Sequence, residues 1–154
     1  MTFSMRVCVV GAIIAVVGSA VGQEEGSPDK KALQGTWQVI LNEEKGVKNP
    51  ADGIHTMTFT GNKIHQLHKV PNGADFQYSF KLDSTKTPAE IEMTITKAGN
   101  EKDKQEVGKT VLGIYSLDGD NLKICTDPSV RPTTFQTKGK RRDTVLIVLK
   151  RQKT

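Results

Sequence analysis

The chain has 154 residues, with 22 Lys and Arg against 17 Asp and Glu and 36% apolar content, which suffices for one domain and leaves no room for a second core. The formal charge of +5 is mild, and the lysines scatter over turns and alternate strand positions as on a solvated surface. No aromatic residue is interleaved with the one dense basic cluster, Lys138-Gly139-Lys140-Arg141-Arg142, so no nucleic-acid partner is expected; the cluster reads first as a soluble hairpin loop and second as an anion site.

Met5 to Gly22 read as a secretory signal. Arg6 supplies a thin positive start, Val7 to Val17 an unbroken apolar and small-residue run, and Gly18-Ser19-Ala20-Val21-Gly22 the small residues of a cleavage site. Cleavage after Gly22 is preferred to cleavage after Ala20. Retention as an anchor is the lesser alternative, because the run is short for a membrane span, and Cys8 stands at the wrong end of it for lipid attachment. Loss of Arg6 with the leader lowers the formal charge from +5 to +4, and the expected location is periplasmic or extracellular. Cys125 is then the single cysteine left, so the domain rests on core burial, strand pairing, a partner or a ligand rather than an internal disulfide; Cys125 reads as a small apolar filler.

Residues 23–32 form a polar tether and residues 33–152 the domain, with at most one helical turn, over Pro28 to Leu33, closing the bottom of the domain. From there the apolar period is two. Strands are predicted over Thr36–Leu41, Ile54–Thr60, Lys63–Val70, Asp75–Leu82, Glu90–Lys97, Thr110–Leu117, Asn121–Thr126 and Thr144–Arg151. Turn residues separate most of them: Gly61-Asn62, Pro71-Asn72-Gly73, Asp83-Ser84, Gly99-Asn100 and Asp118-Gly119-Asp120. Eight strands in successive hairpins make an antiparallel up-and-down meander, an all-β lipocalin-like barrel or half-barrel.

The turns set register. A two-residue type II′ turn at Gly61-Asn62 pairs Thr60 with Lys63, and with them Phe59 with Ile64, Met57 with Gln66 and His55 with His68. A three-residue turn at Pro71-Asn72-Gly73 pairs Val70 with Ala74, His68 with Phe76, Gln66 with Tyr78 and Ile64 with Phe80. Asp118-Gly119-Asp120-Asn121 pairs Leu117 with Leu122 and Tyr115 with Ile124. The expected inward set adds Trp37, Val39 and Leu41 on the first strand, Ile91, Met93 and Ile95 on the fifth, and Val145, Ile147 and Leu149 on the last; Thr56, Thr58, Ser79, Lys81, Glu92, Thr94 and Thr96 face outward.

Leu33-Gln34-Gly35-Thr36-Trp37, Thr58-Phe59-Thr60-Gly61-Asn62-Lys63, the run Leu112 to Asp120 leading to Leu122-Lys123-Ile124-Cys125, Arg131-Pro132-Thr133-Thr134-Phe135 and Leu146 to Arg151 resemble, in order, an uncharacterised domain family abundant in planctomycete-type bacteria, itself similar in pattern to lipocalin-like barrels. The resemblance covers nearly all of Leu33 to Arg151. It implies a small exported or domain-fused β module, without established activity or catalytic residues. Gly35-x-Trp37 matches the barrel-opening motif of lipocalins, and Lys150-Arg151 supplies the basic side chain that such barrels stack over the Trp. The long C-terminal helix of lipocalins has no counterpart after Arg151.

Chemistry-bearing candidates are few. His55 and His68, opposed on the inward face, are a candidate metal pair, with Asp52 and Asp75 near in sequence; the favoured reading makes both rim histidines bonded to water and loop backbone. His65 points the other way, beside Thr58. No nucleophile elbow, zincin motif or phosphate loop is present, so no catalysis and no cofactor is expected. Glu90 and Glu92 share a strand face toward water, and Asp118 and Asp120 serve a tight turn. The candidate pocket lining is Trp37, Phe59, Phe76, Tyr78, Phe80 and Tyr115. The preferred function is binding of a small apolar molecule in the interior; the alternative is a filled-core structural or protein-interaction module.

Overall fold

In a computed structural model the described residues are 26–50, 55–68, 75–139 and 143–153. The expected signal, Asp52, the Pro71-Asn72-Gly73 turn and residues 140–142 of the basic cluster lie outside them.

Helix α1 (Pro28–Leu33) is followed by strands β1 (Gly35–Glu44), β2 (Val47–Pro50), β3 (His55–Thr60), β4 (Lys63–His68), β5 (Asp75–Asp83), β6 (Ala89–Lys97), β7 (Thr110–Asp118), β8 (Asn121–Asp127) and β9 (Val145–Arg151). All pairings are antiparallel, and β1 meets β9, so β1 and β3 to β9 close into an eight-stranded barrel with β2 as an extra strand. Closure is possible because β1 is long. Its first half pairs β3 from Gly35 to Gln38, its second half pairs β2 from Leu41 to Glu44, and its other edge pairs β9 from Trp37 to Glu44.

The β3–β4 register is the one the Gly61 turn predicts, His55 opposite His68 included, with Gly61 at φ +61° as a type II′ turn requires. The β7–β8 register also matches, with Tyr115 opposite Ile124 and Leu117 opposite Leu122. The β4–β5 register differs by two residues. Ile64 faces Tyr78 and Gln66 faces Phe76, and Leu67 with Asp75 is the last pair among the described residues. Because side chains alternate with period two, the slip exchanges partners while every residue keeps its face.

Two expectations fail on β1. A bulge between Val39 and Leu41 leaves Ile40 exposed, and after it Leu41 pairs Val148 while Asn42 pairs Ile147. Cross-strand partners share a face, so the bulge turns Leu41 outward and brings Asn42 in. The strand then continues through Lys45 (φ 53°) and Gly46 (φ 80°) into β2, which the Asn and Pro of Val47–Pro50 disguise as loop. A 3-10 turn at Glu101–Glu106, its start capped by the Asn100 side chain accepting from the Asp103 amide, replaces a simple turn after Gly99.

The core runs up the barrel axis from one closed end. Leu33, Trp37, Met57, Phe59, Ile64, Ile91, Leu122, Ile124 and Leu149 are each 1% exposed or less, and Phe59 meets Phe80 edge to face. Helix α1 caps that end. Ser27 accepts from the Lys30 amide, Pro28 opens the helix, and Leu33 enters the core. The Trp37 indole N–H donates to the Leu33 carbonyl at 2.8 Å, the Tyr115 hydroxyl to Asp29 at 2.6 Å, and the Gln34 amide exchanges two hydrogen bonds with the backbone of Gly61.

A smaller apolar cluster lies on the outer wall. Ile114, Cys125 and Leu146 are buried beneath the strap between β8 and β9, with Phe135 and Val148 packed beside them. Arg131 fastens the strap by donating to the Ile91 and Gly113 carbonyls and pairing with Glu90 and Glu92, which are thus engaged by a guanidinium rather than left to water.

Candidate functional site

Strand directions place α1, Gly61 and Asp118-Gly119-Asp120 at the closed end and His55, His68, Asp75 and Asn42 toward the other. Burial follows the same axis. Of the six residues expected to line a pocket, Trp37, Phe59, Phe80 and Tyr115 are 4% exposed or less and pack in the closed half. Phe76 and Tyr78 are half-buried in the open half, their rings stacked 6.2 Å apart.

Beside them the two histidines meet. The His55 and His68 rings lie 3.8 Å apart between centroids, tilted by 33°. Both Nε2 atoms converge on one atom, the Gln66 side-chain nitrogen, at 2.8 Å each, and the Tyr78 hydroxyl donates to the Gln66 carbonyl oxygen at 3.0 Å. The direction of these bonds is set by what each group can do. An amide nitrogen only donates, so each Nε2 accepts and each ring carries its proton on Nδ1. The Tyr78 bond completes a chain in which one amide serves three side chains.

The surroundings keep this chain neutral. Burial pushes the His55 pKa down to about 4, with His68 adding repulsion, and burial lowers His68 as well. Burial also pushes the Tyr78 hydroxyl up to about 12. Near pH 7 the open end therefore presents uncharged imidazoles and an uncharged phenol.

The candidate metal pair is thus brought together face to face, its converging lone pairs already holding an amide. Among the described residues no group of three or more His, Cys, Asp or Glu is placed to hold a metal ion. Asp75 is turned outward, where it contacts His65. Gln66 is the residue of this candidate site that the sequence alone does not single out, although the Gly61 turn already puts it inward between Ile64 and His68. The bulge hides Asn42, whose Oδ1 is buried and accepts no hydrogen bond among the described residues.

A recess of about 200 Å³ under the strap includes Asp127, Arg131 and Thr144. Arg131 is fully engaged there by carbonyls and carboxylates, and Thr144 donates to Asp127. Among the described residues no helix is long and apolar enough to cross a membrane.

The fold and its open end define a closed antiparallel β-barrel domain. No protein-family model and no curated protein matches the chain. An uncharacterised protein from Bacteroides eggerthii is similar in structure, at 12% identity and a TM-score of 0.47, over 77% of this chain and 98% of that one.

Proposed function

We propose that the barrel binds a small molecule at its open end, an apolar body lying against Phe76 and neighbouring side chains and a polar head group meeting the His55–Gln66–His68–Tyr78 chain. The observation that carries this reading is the Gln66-centred chain itself. Polar groups inside a barrel cost stability unless bonded, and an apolar lining would fill the same space more cheaply. Here four polar side chains sit in the half of the interior that stays partly exposed, while the closed half is packed chiefly with apolar side chains. Ligand sites combine a largely apolar wall with a few convergent polar groups, as this end does.

Isothermal titration of the full-length protein with n-decanol tests the reading. One saturable site is expected, weakened about tenfold by Tyr78→Leu, the loss of roughly one hydrogen bond. Absence of saturable binding by decanol would favour the filled-core interaction module instead.

A further inference from the structure

We infer that the open end takes an organic anion with an apolar tail, its head group lying on the imidazole N–H groups of His55 and His68 and one ring taking up a proton from solvent. This rests on the small-molecule reading above and names the ligand's chemical class.

Gln66 occupies the Nε2 lone pair of each ring, so what each imidazole has left to offer is an Nδ1–H donor. Two donors on rings 3.8 Å apart suit a head group with two or more oxygens and oppose a cation. The facing groups on adjacent strands agree. On β1 they are Val39, Asn42 and, at the exposed end of the strand, Glu44; on β5 they are Phe76 and the neutral Tyr78. Glu44 is solvated, and Asp75 is turned away onto His65. Among these residues the imidazoles are the groups that can gain positive charge inside the barrel.

Charge balance points the same way. An anion brought out of water needs a counter-charge, and a neutral imidazole beside it supplies one by binding a proton. The stacked rings repel one another when charged, so the uptake is one proton and not two. The proton lands on Nε2 of one ring, which releases the Gln66 amide and donates to the head group or solvent, while the amide keeps its bonds to the other ring and to Tyr78. Affinity for the anion therefore rises as pH falls.

Decyl sulfonate is the decisive probe, because it keeps its charge across the range and any proton taken up must reside on the protein. Titration calorimetry on the full-length protein is expected to show its Kd falling by up to about tenfold per unit between pH 7 and pH 5, with n-decanol independent of pH. The double variant His55→Phe/His68→Phe should abolish the sulfonate's pH slope. Binding of decanol with no binding, or pH-independent binding, of the sulfonate would overturn the anion inference and leave small-molecule binding intact. Failure of both probes to bind would overturn both readings. A slope that survives in the double variant would place the proton elsewhere and overturn this one.

Discussion

The Arg151 guanidinium lies 4.1 Å from the centre of the Trp37 ring, on the strand paired directly with it. The same side chain donates to the Gln34 and Ala32 carbonyls and pairs with Asp120. One cation thus joins helix α1, the first strand, the last strand and the β7–β8 turn, at the seam where the barrel closes. A planar fork with five donors can do this; an ammonium cannot. Arg151→Ala is expected to lower stability by about 2–3 kcal/mol, and Arg151→Lys by about 1–2 kcal/mol. Urea unfolding curves for the two variants check the order; equal losses would show that charge alone matters.

Thr137 is fully buried on the strap, where its hydroxyl donates to Glu43 at 2.7 Å and accepts from the Gly46 amide at 2.8 Å. Thr137→Val keeps the shape and removes both bonds, leaving a carboxylate and a backbone N–H short of partners. Stranding a charged acceptor is expected to cost about 2–4 kcal/mol, whereas Thr137→Ser should cost about 1 kcal/mol or less. The strap should also become the first site of limited proteolysis in the Val variant. Unaltered cleavage would show that Arg131 alone holds it.

How much of the barrel is legible in the sequence depends on which residues speak locally. Gly61, with its left-handed φ, announces a two-residue turn, and the whole β3–β4 face derives from it, down to the His55–His68 contact. The resemblance to lipocalin-like barrels, rather than any local signal, implies a basic side chain over Trp37, and Arg151 takes that place. The bulge at Ile40 has no such local signature, since apolar residues at 37, 39 and 41 suit an unbroken strand and only pairing with β9 shows the extra residue. Alternation alone therefore sends Leu41 inward and passes over Asn42. Ile114, Cys125 and Leu146 face out of the barrel by period; their burial depends on a distant strap. The polar site is half visible. Two inward histidines can be placed from one turn, but that Gln66 bonds both is a matter of side-chain geometry.

The neutral histidines give stability a pH dependence of known sign. His55 and His68 have folded pKa values below their ordinary value of 6.5, so the unfolded chain binds more protons as the solution is acidified. Stability is then fully present above about pH 6.5 and declines as pH falls toward 4. For half-exposed rings, solvent screening holds the contribution to about 1 kcal/mol. Urea midpoints at pH 7, 6 and 5 should fall in that order, and more steeply in the wild type than in His55→Phe/His68→Phe. Midpoints that rise on acidification would mean the rings gain a partner for the charged form.

Replacing Gln66 by Glu isolates the role of the amide. Glu has the same shape but only accepts, so each Nε2 that faced an N–H donor would face a carboxylate oxygen and must carry a proton to bond it. The Tyr78 hydroxyl can still donate to the new oxygen. A carboxylate against two imidazoles raises their pKa, and only one ring charges readily because the two repel. Gln66→Glu is therefore expected to lift the first of the two coupled titrations from its lowered position to at or above 6.5, read from imidazole Cε1–H shifts in a proton NMR titration. The effect on stability reverses the wild-type trend. With a charged ring now favoured in the folded state, acidification from pH 7 toward 5 should no longer destabilise the variant through these histidines. A titration unchanged from wild type would show that the amide does not stand between the rings.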